Sequence, residues 1–155
     1  MTKPELPLMG GCQCARVRYR ILAMPVVFYL CHCKECQRHT SSAFGESLRV
    51  RSADLEIDGD LKTVRRIAES GASREGRFCP ECGVRIVHGS VGSELVNVKA
   101  GTLDDTSWLF PAGHIWVRSK QPFFKIDAGE LYYPGQPADN YAALAERWHQ
   151  MFVEP

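Results

Sequence analysis

The sequence predicts a mainly β protein of one domain, closed by a single short helix near its C-terminal end. Three observations carry that expectation. Short strand-like segments recur through the first two thirds of the 155 residues. Turn sequences such as DGD (58 to 60), SGAS (70 to 73) and SVGS (90 to 93) separate them. Only one later segment has a helical repeat of apolar residues.

Taken in order, RVRYRI at 16 to 21 alternates charged and apolar residues, as a half-buried strand does. VVFYL at 26 to 30 is a continuous apolar run and fits a strand buried on both faces. A short helical turn is expected from Cys33 through His39. Further strands are expected at Phe44 to Val50, Thr63 to Ala68, Gly76 to Phe78, Val84 to His88 and Leu95 to Lys99. GTLDDTSWLFPAG, 101 to 113, reads as a long loop, and PGQP, 134 to 137, as a linker. After Asp139 or Asn140 as N-cap, Tyr141, Leu144, Ala145, Trp148 and Phe152 form one apolar helical stripe that should pack on a sheet. One domain over 1 to 155 is expected, its core at about 10 to 127 and its linker and helix at 134 to 153.

A chain of this length buries roughly 70% of the surface its unfolded form exposes, so it does not need cysteines merely to stay folded. The net charge of +1 speaks against a nucleic-acid module, which usually carries a strongly basic face. The charge is uneven, with 13 Lys and Arg against 9 Asp and Glu up to Arg77 and 6 against 9 beyond it. That excess is read either as solvated strand faces or as Arg49, Arg51, Arg65 and Arg66 attracting a small anionic ligand. No apolar run approaches the roughly 20 residues of a membrane span, and the N-terminal MTKPELPLMGG has no apolar signal core, so a cytoplasmic protein with no membrane partner is expected.

The seven cysteines fall into three groups: Cys12 and Cys14, then Cys31, Cys33 and Cys36, then Cys79 and Cys82. In a reducing compartment such spacing points to metal rather than disulfides, and an odd number leaves no complete disulfide framework. Zinc takes thiolates tetrahedrally at about 2.3 Å, and FCPECG (78 to 83) has the form of a zinc knuckle, with Pro80 fixing one φ and Gly83 permitting the turn. Two partitions compete. Either Cys12, Cys14, Cys79 and Cys82 close one site and Cys31, Cys33 and Cys36 form another, or Cys33 and Cys36 join Cys79 and Cys82 and leave three cysteines scattered. The first is preferred because every cysteine stays in a local group. Four protein ligands close a structural zinc, whereas three leave a position for water, substrate or a histidine such as His32, His39, His88 or His114.

GGCQCARVRY (10 to 19), CHCKECQRHTSSAF (31 to 44), FCPECGVRI (78 to 86), VKAGTLDD (98 to 105) and PAGHIWVRSKQPFF (111 to 124) together resemble the family of glutathione-dependent formaldehyde-activating enzymes and centromere protein V. The resemblance runs from about Gly10 to Asp127. It implies an Mss4-like fold, antiparallel β-sheets in a β-tent organised around zinc. It also implies two zinc ions per chain: a structural one on Cys12, Cys14, Cys79 and Cys82, and a catalytic one, open to loss, on Cys31, Cys33 and Cys36. The implied activity is carbon-sulfur lyase chemistry like that of S-(hydroxymethyl)glutathione synthase, with glutathione or a similar small thiol and formaldehyde as partners. A second reading keeps the zinc but not the chemistry, as a protein-binding module of the same fold. Ala15 and Ser42 stand where the family commonly has glycine, which leaves the substrate less certain than the zinc.

Other residues have plainer readings. Asp104 and Asp105 suit turn chemistry. His114 and Trp116, two apart on a strand, either line one pocket or pack in the core. His32, between two ligands, should point away from the metal, and His32 or His39 is a candidate proton shuttle. His149 should face solvent from the last helix.

Overall fold

The computed structural model describes residues 1–68 and 71–153. Among these the chain forms eleven strands in two sheets and two α-helices. They divide into two compact units: residues 4–25 with 48–107, and residues 1–3, 26–47 and 108–155.

The unit built from 4–25 and 48–107 is almost wholly strand. β1 (Leu8–Gly11), β2 (Arg18–Ile21) and β5 (Leu55–Asp58) make a three-stranded antiparallel sheet in the order β1-β2-β5. Alternation in β2 buries Tyr19 and Ile21 and leaves Arg20 outside, as the charged-apolar pattern requires. The larger sheet contributes β4 (Gly45–Arg51, which begins in the other unit), β9 (Leu95–Lys99), β8 (Arg85–Ser90), β7 (Ser73–Phe78) and β6 (Lys62–Ile67), neighbours in that order. Leu48, Val50, Ile86, Val87 and Val98 are buried to 1% exposure or less and form its core. A register shift between Arg77 and Phe78 puts a bulge at the end of β7, just before Cys79.

The other unit is organised on β3 (Val27–Cys31), all five of whose residues are buried. This is the apolar run expected to be covered on both faces. β3 continues through Cys33 into α1 (Lys34–Thr40). β10 (Gly113–Ile115) pairs in parallel with β3, and β11 (Leu131–Tyr132) in parallel with β10. The expectation of antiparallel sheets therefore meets one local departure. The cause is connection length, since long excursions precede β10 and let it enter beside β3 in the same direction.

α2 (Ala142–Gln150) lies on β3. Its N-cap is Tyr141, in a left-handed conformation at φ 71°, rather than the expected Asp139 or Asn140; Asp139, two residues earlier, still serves the first turn, its carboxylate accepting the Tyr141 N–H at 3.1 Å and the Ala143 N–H at 3.0 Å. The predicted stripe is the buried face: Tyr141, Leu144, Trp148 and Phe152 are inside, and His149 is exposed. Trp148 meets Phe28 edge-on at 6.0 Å and Phe152 at 4.9 Å. No helix among the described residues is long and apolar enough to cross a membrane.

Candidate metal centres

The seven thiols gather into two groups, Cys12 with Cys14, Cys79 and Cys82, and Cys31 with Cys33 and Cys36. Within each, all sulfurs lie within 4.8 Å of one another. This is the preferred partition of the sequence; Cys33 and Cys36 do not join Cys79 and Cys82.

The four-cysteine group is built from two tight turns in one unit. After β1 the chain reverses, with Val17 O accepting the Cys12 N–H at 2.9 Å and Cys12 O the Ala15 N–H at 3.1 Å. Ala15 takes the left-handed conformation there, φ 62°. After β7 the FCPECG turn closes through Cys79 N–H to Val84 O and Gly83 N–H to Cys79 O, both 2.9 Å, with Gly83 at φ 74°. Cys12 Sγ lies 3.5 Å from Cys14 Sγ, and Cys14 Sγ 3.7 Å from Cys79 Sγ. A tetrahedron of thiolates with bonds of about 2.3 Å has edges of about 3.8 Å, so the donor set fits zinc. Backbone amides already favour sulfur anions here: Val17 N–H points at Cys12 Sγ at 3.2 Å. The amides of Val84 and Cys14 pull the Cys82 thiol down to about 6.

The three-cysteine group lies in the other unit, where β3 gives way to α1. Cys31 ends the strand, Cys33 is the helix N-cap and Cys36 sits in the first turn, buried. Cys33 Sγ accepts the Cys36 N–H at 3.3 Å, the capping bond that serine or aspartate oxygen usually makes. Hydrogen bonds from the Cys31 and Cys36 thiols hold the Cys33 thiol far below its usual range. The same bond to Cys33, then Cys36 and burial, raises Cys31. Gln37 fixes the loop, its amide nitrogen donating to His32 O at 2.7 Å and Ser119 O at 2.9 Å while its oxygen accepts from Gln121 Nε2 at 3.2 Å.

Neither group contains a histidine. His32 is fully buried and bonds to a ring rather than to backbone: its Nε2 lies 3.0 Å from His114 Nδ1, with the rings stacked at 5.2 Å. His114 Nε2 faces Glu130 Oε1 at 3.4 Å. One ring donates to the other across the His32–His114 contact, and His32 Nε2 and His114 Nδ1 are each other's hydrogen-bond partners. Burial, then the charges of His114 and Lys120, push His32 down to about 4 and keep it neutral. Phe124 and Phe44 wall the pair, with Phe124 5.1 Å from the His32 ring and 5.6 Å from that of His114. Sequence reasoning named His32 and His114 but not Gln37, Phe124 or Glu130.

The remaining candidates fall elsewhere. Trp116 leaves the β alternation for a left-handed conformation, φ 60°, so it and His114 do not share a strand face. Its ring carries the Arg118 guanidinium at 4.6 Å. Asp105 accepts the Ser107 N–H at 2.9 Å, the turn chemistry expected of it, and Asp104 pairs with Arg18. His39 lies in the last turn of α1. Arg49 and Arg51 are on β4, and Arg65 faces Glu75 at 3.5 Å.

Comparison with known proteins agrees with the geometry. No curated protein matches the sequence. The crystal structure of a Rhodobacter sphaeroides protein, a structural genomics target, is similar in fold, with a TM-score of 0.50 at 18% identity over 81% of this chain and 99% of that one. Residues 7–119, which hold all seven cysteines, match the model of the glutathione-dependent formaldehyde-activating enzymes, and the chain belongs to that family.

Proposed function

We propose that the protein is a zinc-dependent enzyme of the carbon-sulfur lyase class, joining a small thiol such as glutathione to formaldehyde at Cys31, Cys33 and Cys36. Cys12, Cys14, Cys79 and Cys82 hold a structural zinc. The observation that carries this reading is the count of donors. Four thiols close one group, while the other has three and no histidine or carboxylate within its cluster. A tetrahedral ion on three protein ligands keeps one position for an exogenous group.

In the reaction the substrate thiol loses its proton, the sulfur lone pair forms the C–S bond at the formaldehyde carbon, and the carbonyl oxygen gains a proton to become the hydroxymethyl group. Zinc bound to the three thiolates supplies the positive charge that lowers the substrate thiol's pKa or polarises the aldehyde. The chain's own residues hold the donors in place. The Cys36 amide keeps electron density on Cys33, Gln37 pins the loop from both sides, and the buried His32–His114 pair fixes the end of β3 where Cys31 sits.

The test is metal quantification followed by glutathione titration of cobalt-substituted protein. Two metal equivalents and a glutathione-dependent change in one of two cobalt spectra are expected. Cys36→Ser should remove one equivalent and the activity while the protein stays folded. Activity that survives this loss would sink the reading.

A further inference from the structure

The chain that follows β10 is tied to the three-cysteine corner by one side chain. Gln37, next to Cys36, donates from its amide nitrogen to Ser119 O at 2.9 Å and accepts the Gln121 side-chain amide on its oxygen at 3.2 Å. Lys120 is the residue between these two anchors, so the chain on either side of it is held to the first turns of α1. Phe124 follows, its ring 5.1 Å from that of His32, the residue that separates Cys31 from Cys33.

The Lys120 ammonium is fixed as well. It donates to Phe124 O and, at 3.4 Å, to Gln121 O, closing the turn in which Gln121 O also accepts the Phe124 N–H at 3.2 Å. An ammonium carries three donors, so one is left for a further partner. Both acceptors are neutral carbonyls, and among the described residues no carboxylate meets this charge. The side chain is half-buried, and its charge adds to burial and His114 in keeping His32 neutral. Lys34, the other lysine of this corner, is exposed and reaches only Gln37 Oε1, at 3.4 Å, so solvent and salt screen it more.

Three thiolates around a divalent ion carry one net negative charge, which by itself disfavours a substrate thiolate bearing a second anionic group. A fixed ammonium beside the ion offsets that repulsion and gives the second group a charge-assisted hydrogen bond. We propose that Lys120 binds a carboxylate of the substrate thiol, so that the three-cysteine site selects thiol acids over neutral thiols of the same length. The proposal rests on the reading of Cys31, Cys33 and Cys36 as an open metal site and adds the residue that chooses its substrate.

The experiment titrates cobalt-loaded, full-length protein with mercaptopropionate and with mercaptopropanol, which differ only in a carboxylate against a hydroxymethyl group, and reads each dissociation constant from the cobalt spectrum. The parent is expected to bind mercaptopropionate at least fivefold more tightly, with the advantage shrinking as salt rises. Lys120→Met should weaken mercaptopropionate about tenfold or more and mercaptopropanol less than twofold, which reverses the order, and Lys120→Arg should restore it. Lys34→Met should change either thiol less than threefold. Equal weakening of both thiols by Lys120→Met would reduce the lysine to a group that holds its own turn and would overturn the proposal. So would equal losses of mercaptopropionate binding from Lys34→Met and Lys120→Met, or a parent with no preference for mercaptopropionate, a measurement that needs no variant. Each of these outcomes leaves the open metal site standing. A cobalt spectrum that answers to neither thiol overturns that site and this proposal together.

Discussion

Ala15 shows how much one φ angle constrains the cysteine turn after β1. It sits one residue after Cys14 at φ 62°, a region that costs a residue with a Cβ about 1 kcal/mol and glycine nothing. The glycine that the family resemblance leads one to expect here would suit this backbone better than alanine. Ala15→Gly should raise stability by up to about 1 kcal/mol with zinc content unchanged, read from urea unfolding and metal analysis; a lower midpoint would contradict the left-handed turn. Ser42, the other departure, is not strained, because the left-handed cap of α1 is Ser41. His114 makes the second residue-level case. Removing its ring in His114→Leu leaves the buried His32 Nε2 without its hydrogen-bond partner, which should cost about 1 to 3 kcal/mol in the same assay. A loss below about 0.5 kcal/mol would mean that the bond does not form. The cysteines were legible in the sequence because their spacing is local and each turn brings its own sulfurs together. Glu130 was not, since it meets His114 only after β10 has paired with β3 and β11, and no short spacing encodes that.

At the level of elements, legibility followed burial. β3 and α2 have patterns that only one environment satisfies, a run covered on both faces and a stripe at helical period, and both stand where the sequence puts them. β9 runs from Leu95 to Lys99 as expected, and the other predicted strands shift by a few residues at their ends. β1, β5, β10 and β11, of two to four residues each, escaped prediction. They are too short to show a period, and pairing rather than composition makes them strands. α2 supplies the element-scale prediction. Trp148 is fully buried and touches the rings of Phe28, Trp108 and Phe152. Trp148→Ala removes that packing and leaves a cavity, at a cost of about 3 to 5 kcal/mol. Near-ultraviolet circular dichroism with denaturant titration reads it, and retention of the parent midpoint would show that α2 does not anchor on β3.

For the molecule as a whole, the division into two compact units separates the two proposed metal sites. Cys12, Cys14, Cys79 and Cys82 lie within 4–25 and 48–107, and Cys31, Cys33 and Cys36 within 26–47. Metal affinity should rank by donor number, so a chelator of rising strength should empty the three-thiolate site first. Each thiolate released takes up a proton, and lowering the pH should therefore act in the same direction as the chelator. The structural consequences should differ as well. The four-cysteine group ties the turn after β1 to the turn after β7, which are 65 residues apart at Cys14 and Cys79. A metal held there would close a long loop and offset that much chain entropy, whereas one held by Cys31 to Cys36 would close only a strand-to-helix corner. Hydrogen exchange with mass spectrometry at successive chelator strengths checks this. Release of the first metal equivalent should leave protection of β1, β2, β7 and β8 within twofold of the loaded protein. Release of the second should lower it at least tenfold across those strands. Loss of that protection with the first equivalent would reverse the assignment of the structural and catalytic sites.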